Sequence, residues 1–190
     1  FTFNPFQENT YLLYDHTKAC VVFDPGCQTP AEQQKLTDVI ADLELKPELL
    51  VNTHCHIDHI FGNKFVMERY GLELAIHRGE LPVLQSVETV GRMYGIAVEP
   101  SPLPSVFLEE GGELKFGESS LQIFFTPGHS PASLSFYSAA DQFVIAGDVL
   151  FYEGIGRTDL PGGDFTTLIK SIQTNLFTLP DDVKVYSGHG

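Results

Sequence analysis

The sequence is poor in the features that announce several protein classes. It holds only three cysteines, Cys20, Cys27 and Cys55, with no CxxC pair and no even framework among them. A disulfide scaffold has little to build on, and a reducing, cytoplasmic setting is expected. Basic residues are scarce: 11 Lys and Arg face 25 Asp and Glu, a formal net charge of −14. A nucleic-acid or anionic-membrane partner would want a basic face, so neither is expected. No apolar run approaches the roughly 20 residues that a membrane-crossing helix needs. The first residues lack the pattern of a secretory signal. No short repeat, low-complexity tract or domain linker breaks the chain, and no nucleophile elbow presents a serine. Phe1 and Gly190 read as cuts through a longer sequence, with short terminal pieces expected beyond them.

What is present suits one domain, or one domain built from two similar halves. The chain has 190 residues, 43% of them hydrophobic, with 15 Phe to fill a core. Residues 10–14 and 19–23 predict adjacent strands, the second ended by Asp24-Pro25-Gly26. Thr29-Pro30-Ala31-Glu32 is a capping box with Pro at the first helical position. Leu36, Val39, Ile40 and Leu43 then recur on one helical face. Leu49-Leu50-Val51 predicts a buried strand, residues 61–70 a helix stopped by Gly71, and residues 72–76 another strand. Residues 79–94 predict a helix and residues 100–112, with three prolines and two glycines, a loop. Strands are expected again at 121–125, 133–137 and 143–146, the last two as a hairpin. A Gly-rich loop, 153–164, precedes a helix over 164–176 with Asp164 as its N-cap, and 183–186 is the last strand. Both halves run strands, helix, strand, which predicts an α/β sandwich of two sheets with helices outside.

Residues 52–59 read NTHCHIDH. His54 and His56 stand two apart at a strand's end, where extended backbone sends them to the same side; Cys55 then points the other way. Asp58 and His59 follow where the chain turns, so they aim elsewhere and suit a second centre. His129 lies in Pro127-Gly128-His129-Ser130, Asp148 after Gly147, and His189 in Ser187-Gly188-His189-Gly190, each just past a predicted strand. Ligand-binding groups of α/β folds gather at such ends. Five histidines and two aspartates placed this way point to a binuclear metal site. His16, in a hairpin turn, and His77, in a charged stretch, read as ordinary surface histidines.

HxHxDH followed by distal GHS, GD and GHG, in that order, resembles the metallo-β-lactamase fold superfamily, and the resemblance spans nearly the whole chain. Within it, Gly154-Ile155-Gly156-Arg157-Thr158-Asp159-Leu160-Pro161-Gly162-Gly163-Asp164 is similar to the short, single-domain glyoxalase II-type hydrolases, also called hydroxyacylglutathione hydrolases. The resemblance implies a four-layer αββα sandwich with residues 1–190 as its catalytic domain. It implies that His54, His56 and His129 hold one metal, that Asp58, His59 and His189 hold a second, and that Asp148 bridges them. The ligand types suit two divalent ions, zinc first, with iron or manganese as alternatives. A hydroxide shared by the two metals would attack the carbonyl of a thioester or related acyl bond, with Asp58 aligning it. The substrate would be a small acyl thioester, a glutathione conjugate among the options.

Two further roles are expected. Arg157 is the candidate substrate contact, or else an anchor for its own loop through Asp159 or Asp164. Asp24 is expected to orient the HxHxDH loop by hydrogen bonds, or else simply to form a turn before Pro25-Gly26. Other classes share parts of the pattern. A mononuclear-iron persulfide dioxygenase has a similar GRTD segment but uses two histidines and one aspartate. A non-catalytic metal-binding module is the remaining alternative.

Overall fold

Apolar side chains on the central strands alternate between two buried faces, and this alternation builds the architecture. On Ala19–Phe23, residues 19, 21 and 23 enter one apolar cluster while Cys20 and Val22 enter another. A strand buried on both sides needs a packed layer against each face of its sheet. The computed structural model, which describes residues 1–190, shows that arrangement as four layers.

A short hairpin, β1 (Thr2–Phe3) with β2 (Glu8–Asn9), opens the chain. The first sheet has the order β3 (Tyr11–Tyr14), β4 (Ala19–Phe23), β5 (Lys46–Val51), β6 (Leu74–His77), β7 (Val106–Leu108). β3 and β4 are antiparallel; the other pairs are parallel. Helices α1 (Pro30–Asp42), α2 (Asn63–Tyr70), α3 (Leu81–Gln85) and α4 (Val87–Tyr94) fall in its connections. The second sheet runs through β8 (Glu113–Phe116), β9 (Ser119–Phe125), β10 (Leu134–Ser138) and β11 (Phe143–Gly147), all antiparallel, and adds β14 (Lys184–Ser187) parallel to β11. A small hairpin, β12 (Leu150–Phe151) with β13 (Gly154–Ile155), and helix α5 (Phe165–Ser171) lie between β11 and β14 in sequence. No helix is long and apolar enough to cross a membrane.

Three apolar clusters fill the spaces between layers. Leu36 and Ile40 of α1 pack with Val22, Leu50 and Ile76. Phe23 and Phe136 meet between the sheets, ring centroids 5.0 Å apart, among Val21, Val51, Leu121 and Ile123. Val144 and Ala146 turn the other way, onto Leu168 and Ile172.

Local signals held where their partners lie within a turn. The Thr29 box closes: Thr29 Oγ1 accepts from the Glu32 N–H and the Glu32 carboxylate accepts from the Thr29 N–H at 2.8 Å. Asp164 accepts from the Thr167 N–H at 2.7 Å. Thr29→Ala is expected to cost about 1 kcal/mol, seen as a lower urea midpoint with unchanged slope. Other expectations are corrected. The helix expected over 79–94 is a 3-10 turn, Arg78–Glu80, followed by α3 and α4 with Ser86 at their junction. The loop expected at 100–112 contains β7, because Val106–Leu108 finds a parallel partner in β6. The last helix widens into π-helical winding over Ile172–Leu176. Leu43 lies beyond the end of α1 and is exposed.

Candidate metal centre

Parallel pairing sets the C-terminal ends of neighbouring strands side by side. β4 and β5 thereby place Asp24 next to residues 52–59, and β11 and β14 place Asp148 next to His189. His129 arrives on the loop after β9. All seven candidate ligands therefore meet at one end of the sandwich.

Two trios form. His54, His56 and His129 lie with their donor atoms within 4.8 Å of one another, and so do Asp58, His59 and His189. In the first, His129 Nε2 is 2.9 Å from His56 Nδ1 and 3.2 Å from His54 Nε2. In the second, His189 Nε2 is 3.1 Å from Asp58 Oδ2. Asp148 reaches both: its carboxylate lies 3.4 Å from His129 Nε2, 3.4 Å from His59 Nε2 and 3.5 Å from His189 Nε2. His54 and His56 converge through a bend after β5 rather than through the pleat of a strand, and the chain then winds as a 3-10 turn over Ile57–His59. A third grouping within the same spread joins Asp24 to His54 and His59.

The outer nitrogens of the rings are held, which fixes the inner ones. His129 Nδ1–H donates to the Arg157 carbonyl at 2.8 Å, and His189 Nδ1–H to the Phe6 carbonyl at 3.1 Å. His59 Nδ1–H donates to Asp24 Oδ2 at 3.1 Å. Thr53 Oγ1–H is spent on Asp24 Oδ2 at 2.6 Å, so that oxygen accepts from His54 Nδ1–H at 3.1 Å. His54 and His129 thus turn an unprotonated Nε2 inward, the state a metal ligand requires, while His59 and His189 turn Nε2 towards the carboxylates of Asp58 and Asp148, where a bound cation would take the proton's place. His54 Nε2 and His129 Nε2 then face each other as lone pairs, an arrangement that favours a cation between them. Nitrogens on one tetrahedral zinc would stand about 3.3 Å apart. His59 Nε2 and Asp148 Oδ1 are buried without a hydrogen-bond partner. These orphaned atoms and the His/Asp donor set fit divalent metal ions.

Electrostatics divide the two trios. Burial pushes His54 far below the ordinary histidine range and His56 down to about 3, with neighbouring imidazoles adding to it. His129 is lowered by burial too, against the pull of Asp148. Burial also opposes charge on His59, but Asp148 and Asp58 outweigh it and hold His59 well above its usual value. His189 is raised against burial by Asp58 and Asp148. The carboxylates Asp58 and Asp148 are held low, despite burial, chiefly by His59. The second trio demands positive charge beside the carboxylates of Asp58 and Asp148.

Asp24 both turns the chain, at φ 45°, and gathers the loop. It accepts from the Thr53 N–H at 2.7 Å, from Thr53 Oγ1 and from His59. Asp24→Ala is expected to weaken metal binding 10- to 100-fold, roughly the cost of losing a partner that orients a ligand, read by competition with a chelating dye. Arg157 forks onto Asp159, at 2.7 and 2.6 Å, while Asp164 caps α5. Its side chain is largely exposed at the mouth of the cavity described below, and its carbonyl holds His129. Cys55 is buried in an apolar cluster, joins none of the donor trios although it borders the cavity described below, and burial pushes its thiol well up. His16 is exposed beside Glu118, as expected. His77 is not an ordinary surface residue: it caps the following turn by accepting from the Gly79 N–H and lies tilted against the Phe125 ring, centroids 4.8 Å apart.

Two buried acids were not anticipated. Glu80 is 0% exposed and holds two loops at once. It accepts from the Cys55 N–H at 2.9 Å, between His54 and His56, and from Ser130 Oγ and the Ala132 N–H at 2.7 and 2.8 Å, beside His129. Glu8 accepts from Thr10 and stands 3.9 Å from His59 Nδ1. Neither had a signal in the sequence: Glu80 sits in a charged stretch that reads as surface, and Glu8 is a lone acid among polar residues near the start of the chain. Gly188, by contrast, explains its own place: a Cβ there would strike the Asp148 carboxylate.

Above the donors opens a cavity of about 730 Å³, floored by His56, Asp58, His129, Asp148 and His189. Such a volume is typical of small-molecule sites.

Comparison with known proteins agrees with this geometry. The model of the "Metallo-beta-lactamase superfamily" matches residues 3–189. The chain is 41% identical over 188 residues to the "Probable metallo-hydrolase YqgX" of Bacillus subtilis, covering 98% of this chain and 86% of that protein. It is 34% identical to the "Hydroxyacylglutathione hydrolase GloC" of Haemophilus influenzae, covering 97% and 86%. It is 33% identical to the human mitochondrial "Persulfide dioxygenase ETHE1", covering 95% of this chain but 63% of that one. Among solved structures, TTHA1623 in a di-iron-bound form superposes with a TM-score of 0.90 at 36% identity, covering 100% and 91%.

Proposed function

This chain belongs to the metallo-beta-lactamase superfamily, and from that premise we propose that it is a metal-dependent hydrolase of thioesters or related acyl bonds. It would resemble the hydroxyacylglutathione hydrolases, with residues 1–190 as the catalytic domain. The observation that carries this reading is the pair of donor trios joined by Asp148 beneath an open cavity. His54, His56 and His129 would hold one divalent ion and Asp58, His59 and His189 a second, with Asp148 between them. Zinc suits these ligands, and iron and manganese share the preference. When bound, such ions polarise a carbonyl as Lewis acids and lower the pKa of coordinated water towards ~7.

The chain's own residues supply position and proton handling. Asp58 lines the cavity floor, where its carboxylate would accept a hydrogen bond from the attacking water and align it. Asp24, Thr53 and the carbonyls of Phe6 and Arg157 hold the imidazoles by Nδ1 and so keep Nε2 turned inward. Arg157 would meet an anionic group of the substrate at the cavity mouth, on giving up part of its fork to Asp159. No side chain is called on as nucleophile; the nearest thiol, Cys55, is buried and held protonated.

Assay of the metal-loaded protein with S-lactoylglutathione and a panel of thioesters tests the reading. Turnover well above free metal is expected, together with its loss in His56→Ala. Turnover no better than free metal, or full activity in His56→Ala, would sink it. Similarity to persulfide dioxygenase favours one other reading, a mononuclear iron oxygenase. Two metals per chain without oxygen uptake supports the hydrolase; one iron per chain with persulfide-dependent oxygen uptake supports the oxygenase. A purely structural metal module accords poorly with donors that face an open cavity.

A further inference from the structure

The walls of the cavity say more about the substrate than its floor does. Val87 and Val90, three apart on α4, form one side together with Tyr94 a turn further on. Phe151 and Ile155, from the β12–β13 hairpin, form another. Phe6 stands edge-on to Tyr94, ring centroids 5.9 Å apart, and the same residue's carbonyl holds His189. Hydrocarbon surface therefore begins next to the donor cluster and continues outward on several elements.

Cationic charge is scarce on these walls. No lysine lines the cavity, and the one arginine, Arg157, is forked onto Asp159. A peptide-like thiol such as glutathione carries two carboxylates and an ammonium at neutral pH. Arg157, on giving up part of that fork, can meet one carboxylate at the mouth; burying the second carboxylate would leave it unpaired, a cost no other cation of the walls offsets. A hydrocarbon group, by contrast, would be desolvated against hydrocarbon. Resting on the hydrolase reading of the same donors, we propose that the cavity selects substrates carrying an apolar hydrocarbon chain next to the scissile bond. It thus takes alkyl rather than hydroxyacyl or peptidyl groups. That chain has two possible sources, the acyl group or the substituent on sulfur.

Two substrate series separate the sources. One varies the acyl chain from acetyl to octanoyl on the neutral thiol N-acetylcysteamine; the other keeps acetyl and lengthens a straight alkanethiol. In the series that matches the cavity, kcat/KM of the metal-loaded protein is expected to rise about fourfold per methylene until the space is filled. S-lactoylglutathione is expected to fall below the longer members. Calorimetric binding of ketone analogues, with CH₂ in place of the scissile sulfur, reads the same chain-length dependence without turnover. Val90→Gln and Ile155→Gln, on separate walls, should each flatten it, so a folding failure of one leaves the other to decide.

The proposal is overturned by flat dependence in both series and in analogue binding, by unchanged slopes in both variants, or by S-lactoylglutathione outrunning every alkyl thioester. Chain-length-dependent binding without any turnover would uphold the cavity assignment and remove the hydrolase reading. Turnover without chain-length dependence would do the reverse.

Discussion

Asp148→Asn is expected to lower thioester turnover of the metal-loaded protein about 10³-fold, roughly 4 kcal/mol of transition-state stabilisation. The reason is its position. Asp148 approaches one member of the first trio, His129, and two of the second, His59 and His189. Asparagine keeps the shape and removes the negative charge that would hold two cations close together. Elemental analysis should show metal content falling from two per chain towards one, with the circular-dichroism spectrum unchanged. Two tightly held metals and near-normal kcat in this variant would show that Asp148 does not join the two centres.

The second large effect is on folding. Glu80→Ala is expected to destabilise the protein by about 3–5 kcal/mol, because it strands three buried donors at once. They are the N–H groups of Cys55 and Ala132 and the hydroxyl of Ser130. Glu80→Gln keeps one acceptor oxygen and should cost clearly less. Both changes loosen the loops that carry His54, His56 and His129, so metal affinity should fall along with stability. Urea denaturation measures the first and chelator competition the second. A loss under 1 kcal/mol in Glu80→Ala would mean that the carboxylate is not the clamp its geometry suggests.

Much of the site was legible in the chain. HxHxDH sits next to a strand end, and the Gly-His, Gly-Asp and Gly-His-Gly segments each follow another. The spacing of His54 and His56 brought their rings together, 4.7 Å between centroids, though a bend rather than an extended strand does it. Edge strands were harder. β7 lies among prolines and β8 is four residues long, and each exists because a neighbouring strand satisfies its backbone. The two possible roles of Arg157 could not be separated by pattern, since its fork onto Asp159 depends on how the 153–164 loop is folded.

The sequence by itself determined which donors exist, which strand ends carry them and where helices α1 and α5 begin. These rest on spacing and on partners a few residues away, and local backbone geometry turns such spacing directly into direction. Only the tertiary structure decided which imidazole nitrogens face inward, that Glu80 ties the loop at Cys55 to the distant loop at Ser130, and that hydrocarbon walls surround a polar floor. Those depend on groups distant in sequence that meet only once the sheets close and exclude water. Inside that closed space an unpaired polar atom becomes costly, and each partner is therefore strictly chosen.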